Sequence, residues 1–587
     1  MRASDGKVRI GGAAGFWGDS ALGPRQLLDG GKPDYLVFDY LAELTMSLLA
    51  AARRKQPELG YATDFIDVMR DVMGDALARG VRVISNAGGI NPQGCAAALR
   101  ALAAEQGLAP RIAVVEGDDV SSLLPALRDE GLVLPAAVLS ANAYLGALPI
   151  KAALDAGADV VITGRCVDSA VTLGALMHEF CWSADDYDRL AAGSLAGHLI
   201  ECGCQGSGGL FTDWESVPDW ANSGYPLVEC SADGSFVLTK PEGTGGLVVP
   251  AVAAEQLLYE IGDPARYVLP DVVCDFTGVT LAPDGPQRVL VRGARGHAPT
   301  PAYKVSATYS DGFRCAAQLT VVGHEASRKA RRSAEAVLER TRAMLMRAGL
   351  GDYSATNADV LGASENFGQA LMWLAVAHPQ RAALEIFARE IAPAGTSWAP
   401  GTTGFGGRPA VSPAIKQFSF LLDKARIQPT VHLPDGTQMR PEIPPGQSFT
   451  ALPMPHPEVA LAGEGVTWTA PGDDWRSVPL IELAWARSGD KGDISNIGVI
   501  ARHPDDLPLL REQLTPQAVA AHLADKVLGA VTRYELPGIH AFNFVCEQAL
   551  GGGGMASLRH DPLGKGMAQL LLAMPVKVPP GFTSRRD

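Results

Sequence analysis

Along the first 180 residues, short β-rich runs alternate with stretches whose apolar residues recur at three- and four-residue steps. The β-rich runs are Val8–Ile10, Tyr35–Asp39, Val81–Ser85, Ile112–Val115, Ala136–Leu139 and Val160–Thr163; helical patterns such as Phe65–Arg79 and Pro92–Glu105 lie between them. The alternation predicts a mostly parallel sheet with crossover helices. An open doubly wound sheet and a closed barrel both obey it, and the open sheet is preferred. From about Gly224 the period shifts to two in runs such as Tyr303–Tyr309 and Cys315–Val322, which predicts antiparallel strands. A charged helix is expected over about 326–348. The Pro- and Gly-rich stretch 434–475 reads as a linker or edge meander. Beyond it, strands at Ile481–Ala486, Ile497–Ala501, Arg533–Glu535, Ala541–Cys546 and up to Val578, with helices at Pro516–Asp525 and around Gly564–Leu571, predict a compact α+β unit. The expected fold class is therefore α/β: a parallel-sheet core over residues 1–225, an α+β continuation over 226–450, a linker over 451–477 and a C-terminal α+β domain over 478–587.

Most of the predicted parallel strands end in a polar or Gly-rich turn. These are Gly11-Gly12-Ala13-Ala14-Gly15-Phe16-Trp17-Gly18-Asp19, Asp39-Tyr40-Leu41-Ala42-Glu43, Ser85-Asn86-Ala87-Gly88-Gly89, Ser140-Ala141-Asn142-Ala143-Tyr144 and Thr163-Gly164-Arg165-Cys166-Val167-Asp168-Ser169. In a parallel sheet such turns share the carboxyl edge, where ligands bind. Convergence of Asp39, Glu43, Asn86, Asn142, Arg165 and Asp168 there is the first pointer to a site.

Bulk properties narrow the classes. The net charge of −14 and 6 % aromatic content argue against nucleic acid as the main partner. No window reaches the length of a membrane span and the amino terminus has no signal-peptide pattern, so neither a membrane nor a secretory route is expected. Nine scattered cysteines, with no CxxC pair, fit a reducing cytoplasm.

Several motifs could carry chemistry. Arg487-Ser488-Gly489-Asp490-Lys491-Gly492-Asp493-Ile494-Ser495-Asn496 lies between two apolar strands. Its glycines and cations suit anion binding or acid–base work, and a polar hairpin with internally satisfied carboxylates is the competing reading. Gly551–Gly554 followed by Arg559 makes either a phosphate cradle or a mobile loop, without the ending of a Walker loop. Gly11–Gly18 departs from the GxGxxG spacing of nicotinamide sites, but Gly12, Gly15, Gly88 and Gly89 remain candidates for substrate contact. His198, Glu201 and Cys202 share a helical face that a metal could use, yet the Gly-rich tail after them favours a tight turn, and no metal is expected. Cys166 beside Arg165 could be an activated thiolate or a buried spectator. Gly401–Pro409 reads as a surface turn and Glu365-Asn366 as a capping pair.

Taken together, the turns at 11–19, 39–43, 86–89 and 163–169, with Gly197-His198-Leu199-Ile200-Glu201-Cys202-Gly203 and the 487–496 and 551–554 runs, resemble the acyclic terpene utilisation A (AtuA) family with its appended ferredoxin-like domain. The resemblance covers roughly 1–450 and 478–580. It implies a role in breakdown of acyclic terpenoids and branched acids through coenzyme A thioesters, with no established catalytic residues to carry over. The expectation is a cytoplasmic, homo-oligomeric enzyme performing proton-transfer chemistry, of hydratase, dehydratase or carbon–carbon lyase type, on a branched acyl-CoA or hydroxyacyl-CoA. Coenzyme A enters as part of the substrate and no further cofactor is expected. Asp39, Glu43 or Asp168 would be acid or base, and Asn86, Asn142 and Arg165 would polarise the thioester carbonyl. Arg487, Ser488, Asp490, Lys491, Asp493, Asn496, Gly552, Gly553 and Arg559 would hold substrate or phosphate. A thioester hydrolase or transferase using Cys166 or Ser169, or a non-catalytic acyl-CoA-binding subunit, are the alternatives.

Overall fold

A computed structural model describes residues 6–362, 367–404, 406–448, 458–460, 472–554 and 556–586. Most of the expected linker, Glu365-Asn366 and Phe405 lie outside these residues.

The predicted alternation produces an open parallel core. Strands β1 (Lys7–Ala14), β2 (Tyr35–Phe38), β3 (Arg82–Ser85), β4 (Ile112–Glu116), β5 (Val138–Ala143) and β6 (Val160–Thr163) follow in the chain. Five of them lie in the spatial order β1-β2-β3-β6-β4, all parallel. Near-continuous apolar strands such as Tyr35–Phe38 and Val160–Thr163 are buried along their whole length because helices cover both faces. The sheet then grows antiparallel on both sides. β7 (Leu227–Ser231), β8 (Phe236–Thr239), Val289–Arg292 and Thr280–Pro283 extend one edge, and Thr430–His432 and Gln438–Met439 the other. This first sheet therefore runs across residue 225 into the middle of the chain.

β5 is the exception, and it corrects the reading of six strands in one sheet. Its residues Ser140, Ala141, Asn142 and Ala143 are strand, not turn, and pair antiparallel with Thr308, Ala307, Ser306 and Val305. The partner is a 23-residue strand, Ala302–His324, bent at an irregularity between Ser310 and Phe313. Its first half also pairs with Ser412–Asp423 and its second half with Phe367–His378. Helices Ala326–Arg347 and Arg381–Glu390 bury their apolar stripes on this second sheet.

The C-terminal unit has a five-stranded antiparallel sheet in the order Glu458–Ala460, Val531–Leu536, Ala541–Cys546, Ile494–Ala501, Ala484–Lys491. Helices Leu507–Gln513, Pro516–His522 and Met567–Leu572 contribute to its core. Two glycines allow the sheet to lie against the segment around helix Pro250–Leu258. A Cβ on Gly498 would stand 2.4 Å from that of Leu258, and one on Gly489 would stand 2.7 Å from Tyr259 and Glu260. Among the described residues, no helix is long and apolar enough to cross a membrane.

Candidate functional site

Parallel strands bring their carboxyl ends to one edge, so the turns after β2, β3, β4 and β6 meet there. Asp39 follows β2 and is buried; Asn86 follows β3 and donates from Nδ2 to Asp39 Oδ1 at 2.5 Å. The Leu41 amide reaches the same oxygen at 3.3 Å. Asn86 Oδ1 is itself taken by the Tyr40 amide at 2.7 Å. Asn86 therefore orients Asp39, with both ends of its amide occupied, which departs from the expectation that it polarises a carbonyl.

Burial pushes the Asp39 carboxyl well above its usual range, and the nearby Asp168 carboxylate adds to that; Arg165, opposing it, does not win. With Oδ1 accepting two N–H groups, Oδ2 is the oxygen left to carry the proton.

After β6, Arg165 is buried. Its Nη1 donates to Asp168 Oδ1 at 2.6 Å and its guanidinium lies 4.1 Å from the centre of the Tyr144 ring. Its backbone amide donates to Asp118 Oδ2 at 2.9 Å, and Asn142 Nδ2 donates to the same oxygen at 2.8 Å. Asn142 thus fixes the turn through Asp118, a residue the sequence reading passed over. Burial raises Asp118 to about 7.

Glu43 opens helix Glu43–Lys55 and accepts from the Tyr144 hydroxyl at 2.5 Å and Gln417 Nε2 at 3.1 Å. Burial would raise its carboxyl, but Lys304, Arg165 and Lys491 outweigh that and hold it at about 2. It stays an anion, whereas burial drives Asp39 toward the neutral form. Lys304, on the long strand, stands 3.9 Å from Glu43 and 5.0 Å from the Tyr144 ring centre.

The C-terminal unit supplies the last wall. Arg487 through Lys491 are strand residues rather than loop, and only Gly492-Asp493 turn the chain. Lys491 ends the strand and donates to Glu260 at 2.8 Å. Burial alone would lower its ammonium, but Glu260, Tyr267, Glu43 and Asp168 raise it well above the usual value. Asp490 is raised to about 7 by burial, with Glu260 adding to it. Lys491, Lys304, Glu43 and Asp168 keep 47, 42, 31 and 29 % of their side chains exposed while their charges act on one another. Coupled charges that solvent still reaches make this cluster the candidate crevice.

Behind it sits a buried proton-sharing pair. His198 Nδ1 meets Glu201 at 2.9 Å and its Nε2 meets the Leu257 carbonyl at 3.2 Å. Burial would lower the imidazole, but Glu201 raises it; burial also raises Glu201, against the pull of His198. Both ring nitrogens are occupied, and among the described residues no group of three or more His, Cys, Asp or Glu is placed to hold a metal ion.

Other candidates have structural occupations. The face of Gly12 is filled by the Ile200 carbonyl, 2.2 Å from where a Cβ would sit, and that of Gly15 by the Cys202–Gly203 peptide at 2.5 Å. Gly88 faces the Thr163 carbonyl at 2.5 Å, and Gly89 adopts a left-handed φ of +53°. These glycines pass backbone against backbone, which accounts for them without a phosphate. Arg487 forms a buried pair with Glu255 at 2.9 Å. Ser488 Oγ donates to the Gly564 carbonyl and accepts from the Ala568 amide. Asp493 Oδ1 accepts from the Leu550 and Gly552 amides. Asn496 spans Leu258, Glu260 and Asn543. Gly553 abuts Gly492, and Arg559 donates to the Lys526 and Ala549 carbonyls. From the 487–496 motif, Lys491 is the residue the structure carries to Glu43 and Asp168, with Asp490 beside it. Burial pushes the Cys166 thiol to about 12, which removes the thiolate a nucleophile needs.

A family model described as acyclic terpene utilisation family protein AtuA matches residues 8–433, and one for the AtuA ferredoxin-like domain matches residues 478–577. No curated protein and no solved structure matches the chain.

Proposed function

The chain belongs to the AtuA family of acyclic terpene utilisation, with the family's ferredoxin-like domain at its carboxyl end, and from that premise and the crevice we propose an acid–base enzyme acting on a branched acyl-CoA or hydroxyacyl-CoA. The observation that carries the reading is the split between two carboxyls that both adjoin Arg165: burial drives Asp39 toward its protonated form, whereas Lys304, Arg165 and Lys491 hold Glu43 ionised. A carboxyl whose surroundings raise its proton affinity suits the acid end of a proton transfer, while an anion held as low as Glu43 positions the cations beside it rather than taking a proton.

In a dehydration, Asp39 Oδ2 gives its proton to the departing hydroxyl, which leaves as water, while a carboxylate takes the proton from the carbon next to the thioester. Asp168, one of whose oxygens is bound to Arg165, fits the second part. Electrons from the broken C–H bond form the C=C bond as the C–O bond breaks, so nothing is oxidised overall. Arg165, Lys304 and Lys491 offset the negative charge that develops on the thioester oxygen. Turnover is tested by incubating the purified protein with a panel of branched acyl-CoA and hydroxyacyl-CoA esters and reading mass changes of 18 Da or fragment loss by mass spectrometry. Asp39→Asn keeps the Asn86 contact but has no acidic proton, so a fall of about 10²-fold or more is expected; turnover at the wild-type rate excludes Asp39 as the acid.

A further inference from the structure

Beside the crevice opens a cleft of about 240 Å³ that the proposed chemistry leaves unused, lined among others by Arg53, Arg54, Asp119, Ser121, Ser140 and Asn142. Its inner end adjoins the site, because Asn142 binds Asp118, whose same oxygen accepts the Arg165 amide. Its outer end is basic. Arg53 is braced on the Ile90 carbonyl, while Arg54 has no hydrogen bond or ion pair among the described residues. The lining carboxylate, Asp119, accepts the Ser121 amide at 2.9 Å, so two guanidinium groups face one carboxylate already in use. Basic residues in a last helical turn are favoured by the helix dipole in any case. What distinguishes this turn is that two of them line a cleft leading to a candidate reaction centre.

The spacing carries the inference. Glu43 and Arg54 lie on one helix, Glu43–Lys55, with Glu43 in the crevice and Arg54 on the cleft. Eleven residues at the helical rise separate them by ~16 Å, comparable to an extended pantetheine arm. We propose that the cleft holds the phosphate-bearing tail of the substrate, the phosphates on Arg53 and Arg54 and the thioester in the crevice. This rests on the acyl-CoA reading above and replaces the glycine-rich C-terminal loops as the phosphate contact. Guanidinium groups suit phosphate through paired, charge-assisted N–H donation, and the exposed Ser121 hydroxyl offers a neutral partner beside them.

Isothermal titration of the full-length protein with free coenzyme A and with pantetheine, which lacks the phosphates, tests the assignment. Coenzyme A is expected to bind at least about tenfold tighter than pantetheine. Arg54→Glu alters an exposed side chain with no partner, so the fold is retained; it should weaken coenzyme A about tenfold or more and leave pantetheine unchanged. Equal coenzyme A affinity in wild type and Arg54→Glu, or equal affinity for the two ligands, overturns the cleft assignment while the acyl-CoA reading stands. Absence of any coenzyme A binding to the wild-type protein overturns both.

Discussion

If Lys491 belongs to the site, whatever docks its strand controls the site, and Arg487 is the main clamp on that strand. Its guanidinium is 4 % exposed and its partner Glu255 is fully enclosed at 0 %. Arg487 donates twice to Glu255 (2.9 and 3.1 Å), once to Gln205 at 2.7 Å and once to the Gly209 carbonyl at 3.0 Å. Arg487→Met keeps much of the volume and removes every donor, leaving the Glu255 carboxylate buried without a counter-charge. Breaking such a pair costs about 3–5 kcal/mol. If residues 478–577 melt as their own unit, unfolding entropy for ~100 residues turns this into a drop of roughly 14–24 °C. If the whole chain melts together, the same cost is only about 2–4 °C. Calorimetry and urea unfolding separate these cases.

The pH dependence gives a second signature of the same change. Burial already raises the Glu255 carboxyl, with Arg487 holding it back, and without Arg487 it climbs further. A folded-state value above the unfolded one stabilises fully at low pH and is lost as pH rises through the folded value. The variant's deficit should therefore be smaller at pH 5 than at pH 8. The double variant Arg487→Met/Glu255→Met, which removes both charges, should recover most of the loss. Stability within about 0.5 kcal/mol of wild type for Arg487→Met at both pH values refutes the clamp.

Two further outcomes follow from the same geometry. Gly12→Ala places a methyl 2.2 Å from the Ile200 carbonyl, against backbone that cannot swing aside, so loss of soluble protein is expected; Gly107→Ala, at a left-handed position with open space, should cost only about 1–2 kcal/mol by urea unfolding. A soluble, stable Gly12→Ala would show that the glycine is not needed for that packing. Asp118 and Asp490, both raised to about 7, stabilise the fold fully below pH 4 and lose that contribution as pH approaches 8, so stability should fall between pH 5 and 8. Asp118→Asn should flatten the slope, and an unchanged slope would show that Asp118 does not titrate there.

The parallel core was legible because short apolar, β-rich runs alternate with crossover helices whose apolar residues keep the 3.6 period. Their turns, with Asp39, Asn86 and Arg165, reach one edge as a consequence of topology. The run Ala136–Leu139, with Ser140–Tyr144 as its turn, misleads because an apolar run carries no mark of its partner, here a strand some 160 residues further along the chain that pairs with Val138–Ala143. The same distance hid Lys304: beside Tyr303 and Val305 it reads as the solvent-facing member of an alternating strand, yet that face meets Tyr144 and Glu43. Glu260 and Tyr267 gave no motif at all; the non-glycine φ of +58° at Glu260 appears only in three dimensions. Glycines mislead in the opposite direction. Gly12, Gly15 and Gly553 look like phosphate cradles in sequence because close approach of backbone to a ligand and close approach of backbone to backbone demand the same missing Cβ.

The central claim is that an ammonium group from the C-terminal unit and carboxyls from the parallel core serve one reaction. Lys491→Met tests it most directly, assayed by mass spectrometry on whichever acyl-CoA ester the wild-type protein converts, with circular dichroism as the check on folding. A folded variant with turnover reduced about tenfold or more is expected, from loss of a charge that offsets the developing oxyanion. A folded Lys491→Met that converts the same ester at the wild-type rate would contradict the account.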